Sequence, residues 1–209
     1  MNKHRVKHVV LLLVLLFVGS LAGCGWLYQT GSGSQETSDI SSLELEVPEF
    51  EFTNQDGDPF GSSDLEGNVW MANMIFTNCP TVCNTMTPNM MILQQELADQ
   101  GIDIEIVSFT VDPDFDDPEQ LTTYGKNYGV DFANWHFLTG YSDEEITEFA
   151  EEAFQSLVMP VPDENDIIHG TSFFLVDDDL QVIHRFNGLE IDIPLITEQI
   201  KAVLAEKNE

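Results

Sequence analysis

Positive charge is the scarcest property of this chain. Seven Lys and Arg residues stand against 37 Asp and Glu, a formal net charge of −30. Three of the seven, Lys3, Arg5 and Lys7, fall in the first eight residues, which leaves Lys126, Arg185, Lys201 and Lys207 for the rest. So acidic a surface repels phosphate backbones and excludes nucleic acid as a partner. Long apolar runs are missing too. The run Val9 to Val18 falls short of the roughly 20 residues that span a bilayer comfortably. Cysteine is rare: three residues, an odd number that leaves one outside any pairing.

The beginning of the chain reads as an export signal. A basic segment precedes the short apolar core, and the small residues Gly19-Ser20-Leu21-Ala22-Gly23-Cys24 follow it. An uncleaved anchor extending through Leu21 is the competing reading. Leu21-Ala22-Gly23-Cys24 resembles the lipobox of bacterial lipoproteins. That likeness implies cleavage before Cys24, a lipid on its sulfur, and residence on the outer face of the cytoplasmic membrane. It also removes the odd thiol. Residues 1–23 are then the signal peptide. Residues 24–46, rich in Gly, Ser, Thr and acids, are a flexible tether. Residues 47–209 are one domain, long enough for a proper core. Dense negative charge fits an exported protein in saline or alkaline surroundings, where it aids solubility. A solvated acidic face is preferred here to a set of weak cation sites.

The chemistry gathers in Thr77-Asn78-Cys79-Pro80-Thr81-Val82-Cys83, directly after the apolar run Val69 to Phe76, which reads as a buried strand. Pro80 suits the first turn of a helix. On that reading Cys79 and Cys83 lie one turn apart on one face, with Cα atoms about 6 Å apart. Such a pair can close a disulfide or converge on one metal ion, and the helix dipole favours the thiolate. A purely structural bridge between such near neighbours would stabilise little, so a functional dithiol is the preferred reading. Thr87-Pro88 predicts a kink or fresh start before the helix continues through Leu93 and Leu97 to Gly101. Further strands are expected at Phe50 to Thr53, Ile102 to Val111 and Trp135 to Leu138. Helices are expected at about Pro118 to Tyr128, Asp143 to Phe154 and Pro194 to Glu206. Met159 to Ile168 reads as a Pro-containing loop, and Thr171 to Val176 with Gln181 to Phe186 as a hairpin. The alternation implies an α/β chain: a central mixed β-sheet flanked by helices on both faces. A cysteine pair at the start of a helix after a central strand is a thioredoxin-like arrangement.

Two thiolates rarely complete a metal site. His136, between Trp135 and Phe137, reads as a packed or edge-strand residue, and His184 as a sheet-face residue. His169 differs from both: it ends a loop just before a strand, from which a side chain can swing over the helix start, and spacing alone leaves the ligand and the loop-residue readings level. Met86 and Met90 share a helical face and read as core filling rather than metal donors.

Phe76 to Cys83, Val111-Asp112-Pro113 and Ile168-His169-Gly170-Thr171-Ser172-Phe173-Phe174-Leu175-Val176-Asp177 together resemble the Sco/SenC family, in consistent order over residues 47–205. The likeness is nearest to the lipoprotein members of Gram-positive bacteria. It implies a thioredoxin-like fold, copper as cargo, and assembly of the dinuclear copper centre of cytochrome c oxidase, so that the copper-bearing oxidase subunit is the partner. Carried over by position, the ligands are Cys79, Cys83 and His169, and Asp112 is an acceptor behind them or simply a turn former. Many relatives have Pro where this chain has Asn84, which bears on the local helix geometry. Two thiolates and an imidazole suit Cu(I), Cu(II) would want a further O or N donor, and structural zinc would want a fourth protein ligand. The same dithiol also serves a thiol–disulfide reductase that keeps the oxidase cysteines reduced. A peroxidase of the peroxiredoxin kind is a third reading, and it has no use for His169.

Overall fold

Trp70–Ile75, six consecutive buried residues, form the strand around which the chain is arranged. A strand apolar on both sides must be covered on both faces. The computed structural model describes residues 38–80, 82–162 and 166–207. The strands are β1 (Ser38–Asp39), β2 (Glu51–Asn54), β3 (Pro59–Gly61), β4 (Trp70–Ile75), β5 (Glu105–Thr110), β6 (Trp135–Thr139), β7 (Val158–Pro160), β8 (Ile167–His169), β9 (Ser172–Val176) and β10 (Val182–Asn187). The helices are α1 (Ser62–Leu65), α2 (Cys83–Asp99), α3 (Pro118–Tyr128), α4 (Asp143–Phe154) and α5 (Ile193–Glu206). Eight strands make one sheet in the order β1-β10-β9-β4-β5-β6-β2-β3. Its centre, β4-β5-β6, is parallel, and β9 runs antiparallel to β4. The sheet is mixed, as expected.

Side-chain alternation in β5 shows how the two faces are covered. Phe109 meets Phe149 and Phe154 of α4, with ring centroids 5.0 and 6.1 Å away. Its neighbour Ser108 points the other way and is paired with Phe137, whose ring lies 6.1 Å from Tyr124 of α3. The Tyr124 hydroxyl is 2.6 Å from that of Thr87, which sets α2 beside α3. Short caps fix where these helices begin. The Asp117 carboxylate accepts the Gln120 N–H with Pro118 in the first turn, and Ser142 with Glu145 forms a reciprocal cap on α4.

Several expectations are corrected. Residues 159–168 are not all loop: β7 and β8 pair as a separate antiparallel hairpin, with Val158 opposite His169 and Pro160 opposite Ile167. Proline is tolerated there because the next residue, Val161, donates the inter-strand bond to the Asp166 carbonyl at 2.9 Å, which leaves Pro160 where no donor is needed. Pro88 neither ends nor restarts α2, which continues through it. Its missing N–H leaves the Asn84 carbonyl without a helical donor, a loss offset by the burial of Met86, Met90, Leu93 and Leu97. Residues 38–46, placed in the tether by composition, contribute β1, paired with β10, and the buried Ile40. The signal segment, Cys24 and the rest of the tether lie outside the described residues.

Candidate metal centre

The end of β4 delivers Phe76 and Thr77, and the chain then turns: the Cys79 N–H donates to the Phe76 carbonyl at 3.3 Å. Cys79 therefore precedes the helix, and Cys83 is its first residue. The helix therefore begins three residues after Pro80, not at it. The two sulfurs still converge, within 4.8 Å, and the Cys83 N–H donates to Cys79 Sγ at 3.5 Å. Both cysteines stand as buried thiols.

His169 ends β8, and its Nε2 lies 3.7 Å from Cys83 Sγ. Nδ1 is 2.9 Å from the Gly170 carbonyl. A carbonyl can only accept, so Nδ1 carries the proton and the lone pair of Nε2 faces the sulfurs, the tautomer a metal ligand requires. The Phe76 ring meets the imidazole edge-on at 5.7 Å and 82°. Gly170 has a steric reason to be glycine: a Cβ there would lie 2.2 Å from Ser156 Oγ. One ligand atom each from Cys79, Cys83 and His169 lies within 4.8 Å of the other two. Among the described residues this is the one group of three such side chains that could hold an ion.

Electrostatics reverse one expectation. The Cys83 thiol is pushed well above its ordinary range, first by its hydrogen bond with the Cys79 thiol and then by burial. At a shielded helix start those effects outweigh the dipole, so an incoming metal must displace the proton.

Asp112 does not join the trio. Its backbone N–H donates to Thr110 Oγ1 at 3.1 Å, and its side chain lines a cavity of about 240 Å³ with Phe76, Val111, Asp143 and Ile167. Burial, with the charges of Asp116, Asp143 and Asp114, raises its carboxyl. Met86 and Met90 are fully buried in the core, as read. His136 stacks on Phe60 and sits 2.9 Å from Glu105, and His184 stacks beside Phe186. Asp116, which the sequence presents with Asp114 and Asp117 as part of an acidic run at the mouth of the site, is instead fully buried and bonded to Thr77 and Thr110. Its signal was a threonine at the end of β5 and another just past β4; the run Asp112 to Asp117 hid it among solvated acids.

Comparison with known proteins agrees with this geometry. The SCO1/SenC family model matches residues 38–205. The chain is 44% identical to a SCO1/SenC family lipoprotein from Bacillus anthracis, covering 78% of this chain and 96% of that one, with a TM-score of 0.75. It is 42% identical to BsSco, a member of the Sco family of cytochrome c oxidase assembly proteins in which a disulfide switch was identified. That match covers 81% and 98% of the two chains, with a TM-score of 0.72. Yeast Sco1 with copper bound, at 20% identity, shares the fold over 77% of this chain and 88% of its own, with a TM-score of 0.65. The thioredoxin-like fold implied by the resemblance is the one present.

Proposed function

The chain belongs to the SCO1/SenC family, and from that premise we propose that it carries copper on Cys79, Cys83 and His169 for assembly of the dinuclear copper centre of cytochrome c oxidase. One observation carries the reading: three soft or borderline donors, from a turn, a helix start and a separate hairpin, converge within 4.8 Å. Sulfur, sulfur and imidazole in a buried, low-coordinate pocket favour Cu(I), and copper-bound yeast Sco1 shares the fold. The acceptor is the copper-bearing oxidase subunit, met on the outer face of the cytoplasmic membrane. A lipid on Cys24 holds the protein there, a reading supported by the lipobox likeness and by the B. anthracis lipoprotein.

Thiol–disulfide reduction of the oxidase cysteines is the second reading, favoured by the approach of Cys79 Sγ to the Cys83 N–H and by the disulfide switch of BsSco. His169→Ala separates the two. It removes the imidazole and leaves both thiols in place. Delivery predicts that Cu(I) affinity falls roughly 100-fold, the upper end for disturbing a metal site, with oxidase activity lost at limiting copper. Reduction predicts near-normal oxidase activity in that strain, with Cys79→Ser and Cys83→Ser inactive under either reading.

A further inference from the structure

Asp116 is a fully buried carboxylate whose partners are all uncharged. Oδ2 accepts the Thr77 N–H at 3.0 Å and the Thr110 hydroxyl, and Oδ1 accepts the Thr77 hydroxyl. Burying a carboxylate without a cation is costly. It does not cap a helix here, since Asp117 caps α3. What Asp116 accomplishes is a tie between two chain segments. Thr110 ends β5, Thr77 lies two residues before Cys79, and one carboxylate binds both. At the other end of the segment, Cys83 is fixed by α2, which is anchored by the buried Met86, Thr87 and Met90. Closing a disulfide brings the sulfurs to about 2.05 Å. With Cys83 held in the helix, that approach draws on the turn at Cys79, and Thr77 is where the turn is tethered.

We propose that Asp116 is a positioning residue for the dithiol: by holding Thr77 against the end of β5, it keeps Cys79 at metal-binding reach of Cys83 and opposes closure of the disulfide. The inference deepens the site reading above and rests on Cys79 and Cys83 being a working pair. In the closure it opposes, both cysteines lose their S–H protons and form one S–S bond. The two electrons and two protons pass to a low-molecular-weight disulfide, which leaves as two thiols.

The test equilibrates the full chain, purified in detergent, with mixtures of reduced and oxidised dithiothreitol, and counts protein thiols by alkylation and mass spectrometry. Asp116→Asn removes an acceptor oxygen, Thr77→Val removes the tied hydroxyl at nearly constant volume, and Thr77→Ser keeps that hydroxyl. Asp116→Asn and Thr77→Val should each shift the equilibrium about tenfold toward disulfide, a potential about 30 mV more negative for this two-electron couple. Thr77→Ser should stay within about twofold of wild type. Urea unfolding of each reduced variant runs alongside. Lowered stability with an unmoved potential in Thr77→Val, a partly exposed position that spares the buried carboxylate, overturns the proposal. So does a shift in Asp116→Asn with none in Thr77→Val, which would assign the effect to charge. A wild-type pair that forms no disulfide in any mixture overturns both the proposal and the working-dithiol reading, whereas a pair that titrates normally while both variants match it overturns the tie alone.

Discussion

Gly170→Ala puts a single methyl group between the metal centre and the segment that follows α4. The new Cβ would sit 2.2 Å from Ser156 Oγ, where ordinary contact begins near 3.4 Å, so the two segments are about 1.2 Å too close. Ser156 is only 6% exposed, which leaves its hydroxyl little room to rotate away. Part of the displacement must be taken up by β8, whose last residue is His169. The Gly170 carbonyl that fixes the imidazole tautomer moves with it. Metal–ligand distances tolerate only about 0.2 Å, so even a share of that shift misplaces Nε2. Cu(I) affinity should fall roughly 10- to 100-fold, the range seen when a ligand's supporting group is disturbed. Ser156→Ala alone should be nearly silent, because its Oγ has no hydrogen-bond partner. In the double variant only the Ser156 Cβ position remains, at 3.4 Å, and affinity should return to within about threefold of wild type. The coupling would then be on the order of 1–3 kcal/mol. Competition for Cu(I) against a chromophoric chelator under anaerobic, reducing conditions reads all four proteins. Wild-type affinity in Gly170→Ala, or a double variant no better than the single, would refute the steric argument.

Three further outcomes are expected. Because the Cys83 thiol is held protonated through the neutral range, Cu(I) uptake by the reduced protein should release protons. Its affinity should then rise about tenfold per pH unit for each proton displaced; pH-independent affinity, or tight binding by the disulfide form, would contradict the ligand assignment. The carboxyls of Asp112, Asp116, Asp143 and Asp177 are all raised above 3.8, chiefly by burial. Just above that value the folded chain therefore holds more protons than the unfolded one, so the contribution of these groups to stability should grow as pH falls toward about 4 and be lost as pH rises above it. Urea midpoints check this, and a lower midpoint at the more acidic pH would show that other groups dominate. Finally, Cys24→Ser should leave an unlipidated precursor or a released chain by mass spectrometry of the N-terminus; an unmodified Cys24 in an intact wild-type N-terminal segment would end the lipid-anchor proposal.

What could be read from the sequence divides along the reach of the interactions. The strand around Met71 to Ile75 was visible because continuous burial leaves an apolar run. The start of α3 was visible because Asp117 and Pro118 act on their immediate neighbours. Cys79, Cys83 and His169 were found through residue type and family likeness, and the structure brings them together. Their local geometry was less accessible. Pro80 was read as a helix starter, yet the helix starts at Cys83, because the turn is set by the Cys79–Phe76 backbone bond and by Asp116, 39 residues beyond Thr77. The hairpin carrying His169 was read as loop because its prolines speak against a strand, while its pairing partner could not be identified locally. Asp116 was concealed by its surroundings: among six consecutive residues from Asp112, four are acidic, and sequence alone does not reveal which of them turns inward.

The hairpin that bears His169 belongs to a two-stranded sheet separate from the eight-stranded one. The imidazole can therefore be withdrawn by opening β7 from β8 without breaking a hydrogen bond of the main sheet, whereas removing Cys83 means unwinding the start of α2. If the trio carries copper as proposed, the imidazole is the ligand whose release would disturb the least structure. A transfer that began there would climb in rate with acceptor concentration and level off, at saturation, at the opening rate of the hairpin.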